Sequence, residues 1–108
     1  MSKYHLGEFE EIVMLTVAIL HQEAYGVAIM DEIEKRLQRK ASIGSLQTVL
    51  RRLEKKGYLV SEFGEATSVR GGKRKRFFKV TNHGRSMLEK TKDQRISLWD
   101  AIPKIAFD

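Results

Sequence analysis

The chain has 108 residues, enough for one domain with a single hydrophobic core. It contains no cysteine, which excludes disulfide bonds, a thiolate nucleophile and a cysteine-based zinc site. Its 20 Lys and Arg residues outnumber its 14 Asp and Glu residues, so the net charge is +6. The longest apolar run, residues 12–20, is about half as long as a membrane span, and the first residues form no signal-peptide core. We therefore expect a cytoplasmic protein that has no membrane partner.

The positive charge is concentrated in one part of the chain. Residues 1–40 carry 5 basic and 7 acidic side chains, residues 41–85 carry 11 and 3, and residues 86–108 carry 4 of each. An excess confined to one segment indicates a binding surface for an acidic partner such as DNA. The alternative is a solvated basic face that keeps the protein soluble, although such faces usually mix their signs.

Two helices are predicted in the first 40 residues. The first runs from about residue 8 to residue 21 and has three glutamates in its first turn, where the helix dipole favours negative charge. Its apolar residues surround most of the helix, which indicates a second contact partner besides the core. The second helix runs from about residue 26 to residue 37. Five apolar residues are expected to bury it: Val27, Ile29, Met30, Ile33 and Leu37.

The third predicted helix begins near Ser42, a suitable N-cap, and ends at Gly57, which has the backbone freedom for a left-handed cap. Its opposite face and flanks are polar or basic. The small polar side chains at its start could approach DNA base edges, while the later Arg and Lys suit phosphates. Four apolar residues at helical spacing should face the core: Leu46, Val49, Leu50 and Leu53.

Residues 59–65 and 75–80 are rich in Leu, Val and Phe and predict two antiparallel strands. The loop between them, residues 66–74, is basic, glycine-rich and too long for a tight turn. A polar helix beside a basic hairpin suits duplex DNA, with the helix in the major groove and the hairpin at the backbone or minor groove. An ordinary loop with solubilising charges is the alternative. The predicted DNA-binding residues are Ser42, Ser45, Gln47, Thr48, Arg51, Arg52, Lys55, Arg70, Lys73, Arg74 and Lys75.

Five stretches of the chain carry a family resemblance. They are Gly7-Glu8-Phe9-Glu10, Ala24-Tyr25-Gly26, the segment LQTVLRRLEKKG at 46–57, Arg70-Gly71-Gly72 and Thr81-Asn82-His83-Gly84-Arg85. Together they resemble the PadR-like transcriptional regulators, winged-helix proteins of bacteria, from residue 7 to about residue 88. Members commonly carry Tyr where this chain has Gln47, whose amide is able to pair bidentately with adenine.

The patterns and the resemblance predict a mainly α fold with a small β-hairpin (α+β). Residues 1–81 are expected to form a winged helix-turn-helix, and residues 82–108 a C-terminal dimerisation helix and tail within the same compact domain. After Thr81, a predicted N-cap, the helical pattern continues to about residue 102, ahead of Pro103. Its apolar stripe is sparse, so the helix has little reason to persist alone in water.

The resemblance implies that this last helix packs against the first helix of a second copy and forms a two-fold homodimer. It also implies a short family form, with one C-terminal helix rather than a longer C-terminal domain. The predicted interface residues are Met14, Ile19, Leu88, Ile96, Leu98, Trp99 and Ile102.

We expect a sequence-specific DNA-binding regulator that acts as a homodimer on a pseudo-palindromic operator. The resemblance alone implies repression. Some multidrug-responsive relatives stack aromatic ligands in the dimer cleft, which implies a small aromatic effector at Trp99; interface packing is the alternative for this side chain. The rival interpretation is a winged-helix module that docks onto another protein. The salt dependence of duplex binding would separate the two.

Catalysis is not expected from this sequence. His5, His21 and His83 have no metal-ligand spacing. Gly71-Gly72 lies within a predicted hairpin rather than before a helix, where a phosphate-binding loop would need it. We therefore expect no enzyme activity, no cofactor and no metal.

Overall fold

The computed structural model describes residues 5–64 and 74–107. Three helices, a hairpin and a fourth helix follow one another, which confirms the predicted mainly α fold with a small β-hairpin. The elements are α1 (Glu8–Leu20), α2 (Gly26–Leu37), α3 (Ile43–Lys55), β1 (Leu59–Phe63), β2 (Arg76–Val80) and α4 (Asn82–Ala101). Short 3-10 segments at His21–Glu23 and Lys104–Phe107 follow α1 and α4. Within the described residues, no helix is both long and apolar enough to span a bilayer.

The hydrophobic core lies where the first three helices meet. The four apolar residues predicted to face inward on α3 are buried, and Leu46 and Leu53 are fully enclosed. They pack with Val13 of α1 and with Ile29 and Ile33 of α2. Burying one such side chain contributes about 1.5–3 kcal/mol. This packing holds one side of α3 against the protein and leaves the other side facing outward.

Three apolar residues lie elsewhere than predicted. Val27 and Leu37 of α2 are 53% and 49% exposed rather than buried. Val27 precedes the buried Ile29 by two residues, which places it on the far side of the helix, and Leu37 is the last residue of α2, at the edge of the core. Met14, predicted in a dimer interface, is fully buried. It packs within the core beside Gly84 of α4, where a second subunit cannot reach it.

The hairpin is antiparallel, with Phe63 opposite Arg76 at its outer end. Its first strand ends two residues earlier than predicted and its second strand begins one residue later. The predicted loop lies, apart from Arg74, outside the described residues. The Phe78 N–H donates a hydrogen bond to the Ala24 carbonyl at 2.8 Å. This bond attaches the connection between α1 and α2 to β2.

The turn that joins α3 to the hairpin also anchors α4. Gly57 has a φ of +82°, the left-handed conformation predicted for it. Thr81 is the N-cap of α4, also as predicted: its Oγ1 accepts a hydrogen bond from the Gly84 N–H at 2.9 Å and donates one to the Gly57 carbonyl at 2.7 Å. A Cβ on Gly84 would collide with the Tyr58 carbonyl oxygen. The first turn of α4 is therefore in close contact with the turn after α3.

The second half of α4 is exposed to solvent. Gly84 and Met87 are its buried residues, and every residue from Lys92 to Ala101 is exposed. Its 20 residues span about 30 Å, and the longest dimension of the described structure is 61 Å. An exposed helical half has little intrinsic stability in water. Its apolar side chains are therefore available to a partner.

Candidate nucleic-acid interface

One long face of α3 is open to solvent. An α-helix with its side chains is about 10–12 Å across and the DNA major groove is about 12 Å wide, so this face has suitable dimensions to enter the groove. The side chains predicted to bind DNA on and before this helix are all exposed: Ser42, Ser45, Gln47, Thr48, Arg51, Arg52 and Lys55.

Short hydroxyl side chains organise the first turn of α3. The Ser42 Oγ accepts a hydrogen bond from the Ser45 N–H at 3.0 Å, which satisfies one of the free amides at the helix start. The Thr48 Oγ1 donates to the Gly44 carbonyl at 3.0 Å. Its hydroxyl hydrogen is thus already used, and its oxygen remains an acceptor. Ser42 therefore serves as the N-cap of α3, whereas the Thr48 oxygen can still accept a hydrogen bond from a bound molecule.

The basic residues of α3 and its end fall into two groups. Arg52 and Lys56 lie 3.7 and 3.0 Å from the carboxylate of Glu10 in α1. Arg51 and Lys55 have no carboxylate within 4.0 Å among the residues that the structure describes. An uncompensated cation attracts phosphate more strongly than a paired one. Arg51 and Lys55 are therefore stronger candidates for phosphate contacts than Arg52.

Glu10 is a buried carboxylate that joins α1 to α3. One oxygen accepts a hydrogen bond from the Gly7 N–H at 2.8 Å, and the other accepts one from the Lys56 Nζ at 3.0 Å. Burial alone would raise the pKa of Glu10. The hydrogen bonds from Gly7 and Lys56 and the charges of Lys56 and Arg52 outweigh burial, so this pKa lies below its ordinary value. The ionised carboxylate holds the C-terminal end of α3 against α1.

A second carboxylate, Glu54, joins α3 to the hairpin. The Ser61 Oγ donates to the Glu54 Oε2 at 2.7 Å, and the Arg76 Nε donates to the Ser61 Oγ at 2.8 Å. The Arg76 guanidinium also lies 3.4 Å from the Glu54 Oε1 and 5.2 Å from the centre of the Phe63 ring. These contacts set the position of the hairpin relative to α3.

Two predicted residues of the wing, the hairpin β1–β2 with its loop, lie just before β2 at the outer end of the hairpin. The Arg74 Nε donates to the Gly64 carbonyl at 3.0 Å. The Lys75 Nζ lies 4.1 Å from the centre of the Tyr25 ring, a cation–π contact. Both basic residues are exposed. The other two predicted residues, Arg70 and Lys73, lie outside the described residues.

Tyr25 connects the outer part of the hairpin with the start of α3. Besides Lys75, it contacts Phe77, whose ring centre lies 5.7 Å away in an edge-on arrangement. The next residue, Gly26, lies against Gln47, because a Cβ built on Gly26 would be 3.0 Å from the Gln47 Nε2. The wing, the start of α2 and the start of α3 therefore form one continuous surface.

The sequence alone did not predict the contacts of Glu10, Glu54 and Tyr25. The one available signal for Glu10 was its place three residues after Gly7, the spacing of a capping box. Nothing in the sequence marks its partner Lys56, which is 46 residues away. Such contacts depend on how the helices pack.

An exposed basic helix with a hairpin fixed beside it invites comparison with known proteins. The family model described as "Transcriptional regulator PadR-like family" matches residues 14–90, which is more than two thirds of the chain. The chain belongs to this PadR-like family. A comparison with curated proteins gives no significant match.

Solved structures of PadR-like proteins are similar to this chain over most of its length. A PadR-like transcription factor from Bacteroides fragilis is 28% identical, with a TM-score of 0.74, over 91% of this chain and 89% of that one. A PadR family transcriptional regulator from Eggerthella lenta is 28% identical, with a TM-score of 0.68, over 91% and 85%. One from Clostridium difficile is 26% identical, with a TM-score of 0.68, over 85% and 92%. These likenesses confirm the winged-helix fold.

The PadR-like chain has a second exposed surface, a groove between α1 and α4. The groove has a volume of about 490 Å³ and is lined in part by Leu15, Ile96 and Trp99. These three side chains are 44%, 46% and 66% exposed. The Arg95 Nη2 lies 3.0 Å from the Glu11 Oε1 and links the two helices. Clustered exposed apolar side chains are a common feature of contact surfaces.

The predicted dimer-interface residues of this PadR-like chain differ in their burial. Ile19, Ile96, Leu98 and Trp99 are exposed, with Leu98 at 70%. Leu88 and Ile102 are half-buried, and Met14 lies in the core as described above. The exposed members lie on α1 and α4, the two helices that form the groove.

Proposed function

We propose that this PadR-like regulator binds duplex DNA sequence-specifically, with α3 in the major groove and the wing at the adjacent backbone or minor groove. The observation that carries the proposal is the division of cations at α3. Glu10 holds Arg52 and Lys56, whereas Arg51 and Lys55 face outward without a carboxylate partner among the described residues. Side chains that are not needed to hold the fold are the ones available for phosphates.

Base recognition is assigned to the polar side chains at the start of α3. Gln47 carries an amide that can pair bidentately with adenine. Thr48 offers an acceptor oxygen, because its hydrogen is donated to Gly44. Ser45 lies in the same exposed first turn. In helix-turn-helix proteins, the N-terminal residues of the recognition helix are the ones that contact base edges.

The proposed regulator acts as a homodimer through α4 and α1. The exposed apolar side chains of Leu15, Ile96, Leu98 and Trp99 support this proposal. A two-fold dimer requires a pseudo-palindromic operator, with half-site centres about 34 Å or a small multiple apart. Repression by competition with polymerase is the proposed consequence of operator binding.

A planar aromatic effector in the groove between α1 and α4 completes the proposal. Trp99 presents a largely exposed ring there. Glu11 and Glu89 also line the groove, but each is paired with an arginine, Arg95 and Arg85, so the exposed aromatic face is the feature that supports stacking by a planar ligand. Such a ligand would relieve repression only if it binds the DNA-free and DNA-bound states with different affinity.

The test is retardation of the intergenic DNA beside the coding gene, after a search of that DNA for an inverted repeat. We expect the affinity to fall steeply with salt concentration. The salt slope should shrink by about 0.9 when Arg51→Ala or Lys55→Ala removes one phosphate contact. Lys35→Ala is the control, because Lys35 is an exposed cation at the far end of α2.

The rival function is that of a module that docks onto another protein, and it predicts the opposite result for duplex binding. Duplex affinity would then be weak, and removing Arg51, Lys55 or the wing residue Lys75 would leave both affinity and salt slope unchanged. That result would overturn the DNA-binding proposal.

A further inference from the structure

Gly44 is the second residue of α3 and lies on its exposed face. Thr48 follows it by four residues, Arg51 by seven and Lys55 by eleven, a spacing that places all four residues on one side of the helix. This side is the one proposed to face DNA. Gly44 is therefore a position without a side chain at the N-terminal end of the proposed recognition surface.

The fold itself gives no reason for glycine at this position. Glycine destabilises a helix relative to alanine, since it loses more backbone freedom on folding. A Cβ built on Gly44 meets no atom within 4 Å. Gly57 is the one glycine with positive φ among the described residues, so Gly44 has an ordinary helical backbone.

At the other described glycines, unlike at Gly44, an added Cβ would meet neighbouring atoms. A Cβ on Gly64 would lie 2.6 Å from the Phe77 ring, and one on Gly84 would collide with a backbone carbonyl. One on Gly26 would lie 3.0 Å from the Gln47 Nε2. Each of these positions is filled by a neighbour within the chain. The space over Gly44 is open to solvent, so no neighbour within the described chain accounts for this glycine.

We propose that Gly44 is the point where the backbone of α3 comes closest to bound DNA. A close approach of backbone to a ligand is one of the uses of glycine. A helix about 10–12 Å across nearly fills a groove about 12 Å wide, so one side chain on the inner face limits how deeply the helix enters. The inference rests on the proposed DNA-binding function, and it identifies the residue that determines how deeply α3 enters the groove.

The depth of α3 in the groove affects base contacts and phosphate contacts differently. Thr48 has a short side chain and reaches a base edge only if the backbone is near. Arg51 and Lys55 have long, flexible side chains that reach phosphates from a range of distances. A methyl group at position 44 should therefore weaken specific binding and leave non-specific binding nearly intact.

The experiment compares Gly44→Ala with the unaltered protein on two probes. One probe is a duplex that the unaltered protein selects from a random-sequence pool, and the other is a duplex of unselected sequence. We expect about tenfold weaker binding to the selected duplex, the effect of losing roughly one good base contact, and a change of less than about twofold on the unselected duplex. Gly44→Leu should lose at least as much specific affinity.

Thermal unfolding provides the second readout. Gly44→Ala should raise the Tm by a few degrees, because alanine favours the helix and finds open space. Ser86→Ala, an exposed change on α4, is the control and should leave DNA affinity unaltered.

Two outcomes overturn the inference. One is a stable Gly44→Ala protein that binds the selected duplex as tightly as before, and the other is a lowered Tm, which would show that the fold itself requires this glycine. Failure of the unaltered protein to select any duplex is distinguishable from both, since it would overturn the proposed function instead.

Discussion

Lys56 and Glu10 join the end of the recognition helix to the start of α1, with the Lys56 Nζ 3.0 Å from the Glu10 Oε2. The Glu10 side chain is only 8% exposed, and that of Lys56 is 31% exposed. An ion pair in this position is screened by solvent much less than one on the surface. The neighbouring residue Glu11 pairs with Arg95 of α4. One turn of α1 thus contacts both the helix proposed to read DNA and the helix proposed to form the dimer.

Glu10→Gln should destabilise the protein by about 1–3 kcal/mol, because it removes the charge that pairs with a half-buried lysine and accepts a hydrogen bond from a backbone amide. The pKa of Glu10 is lowered in the folded state. Its contribution is therefore complete above the ordinary carboxyl pKa and is lost as the pH falls through the lower, folded-state pKa. Denaturant unfolding at a series of pH values should show a loss of stability below about pH 4.5 that is smaller in Glu10→Gln.

Glu8→Gln is the matched control for this charge removal. Glu8 pairs with Arg39 at 3.0 Å, but its side chain is 71% exposed. Exposed pairs contribute roughly 0–1 kcal/mol, so this variant should unfold almost as the unaltered protein does. Equal effects of the two substitutions would contradict a special role for the buried pair.

Gly84→Ala should destabilise the protein by about 1–3 kcal/mol through overpacking, because its Cβ has no space beside the Tyr58 carbonyl. Urea unfolding measures the loss, with Ser86→Ala, two residues later and exposed, as the near-neutral comparison. Unchanged stability would show that the first turn of α4 can move away from the body.

The sequence predicted α3 well because its apolar residues follow a single helical stripe and its ends carry a serine cap and a glycine stop. It predicted α1 less well. Apolar residues surround that helix, so their spacing could not decide whether Met14 faces the core or a partner. Packing decided it, since Met14 fills the space beside Gly84.

For the candidate site, too, the sequence predicted some features and not others. Exposure of the α3 residues follows from their spacing, and the structure shows it. The pairing of Arg52 with Glu10 does not follow from spacing, because it depends on where α1 crosses α3. The spacing predicts Arg52 on the outer face of α3 and Arg51 on its flank, whereas in the structure Arg52 is the one of the two that lies beside Glu10.

Truncation before Lys92 should yield a monomer with little operator affinity. The deletion removes Ile96, Leu98 and Trp99 from the proposed interface but no residue of the buried core. Leu98→Asp in the full chain should have the same effect on assembly, since Leu98 is 70% exposed and lies outside the buried core. Sedimentation velocity at several protein concentrations measures both. A truncated protein that still sediments as a dimer would place the interface elsewhere.

Trp99 provides a direct test of the proposed effector, because it is the one tryptophan in the sequence. Planar aromatic cations and phenols should quench its fluorescence saturably at micromolar concentrations and weaken operator binding. Trp99→Ala should abolish the effect of these compounds on operator binding and leave a DNA-binding dimer, and Trp99→Phe should retain part of that effect. No saturable quenching by a broad aromatic panel, or dissociation of the Trp99→Ala dimer, would assign this ring to interface packing alone.

The contact between Gly84 and the Tyr58 carbonyl has a consequence for the operator. Tyr58 follows closely on α3, so this contact sets the orientation of α4 relative to α3 within each subunit. In the proposed dimer, two α3 helices mounted in this way would be held at a defined distance and angle. One base pair inserted between the half-sites shifts one of them by about 3.4 Å and rotates it by roughly 35°. The protein would then recognise the length of the spacer as strictly as the bases on either side of it.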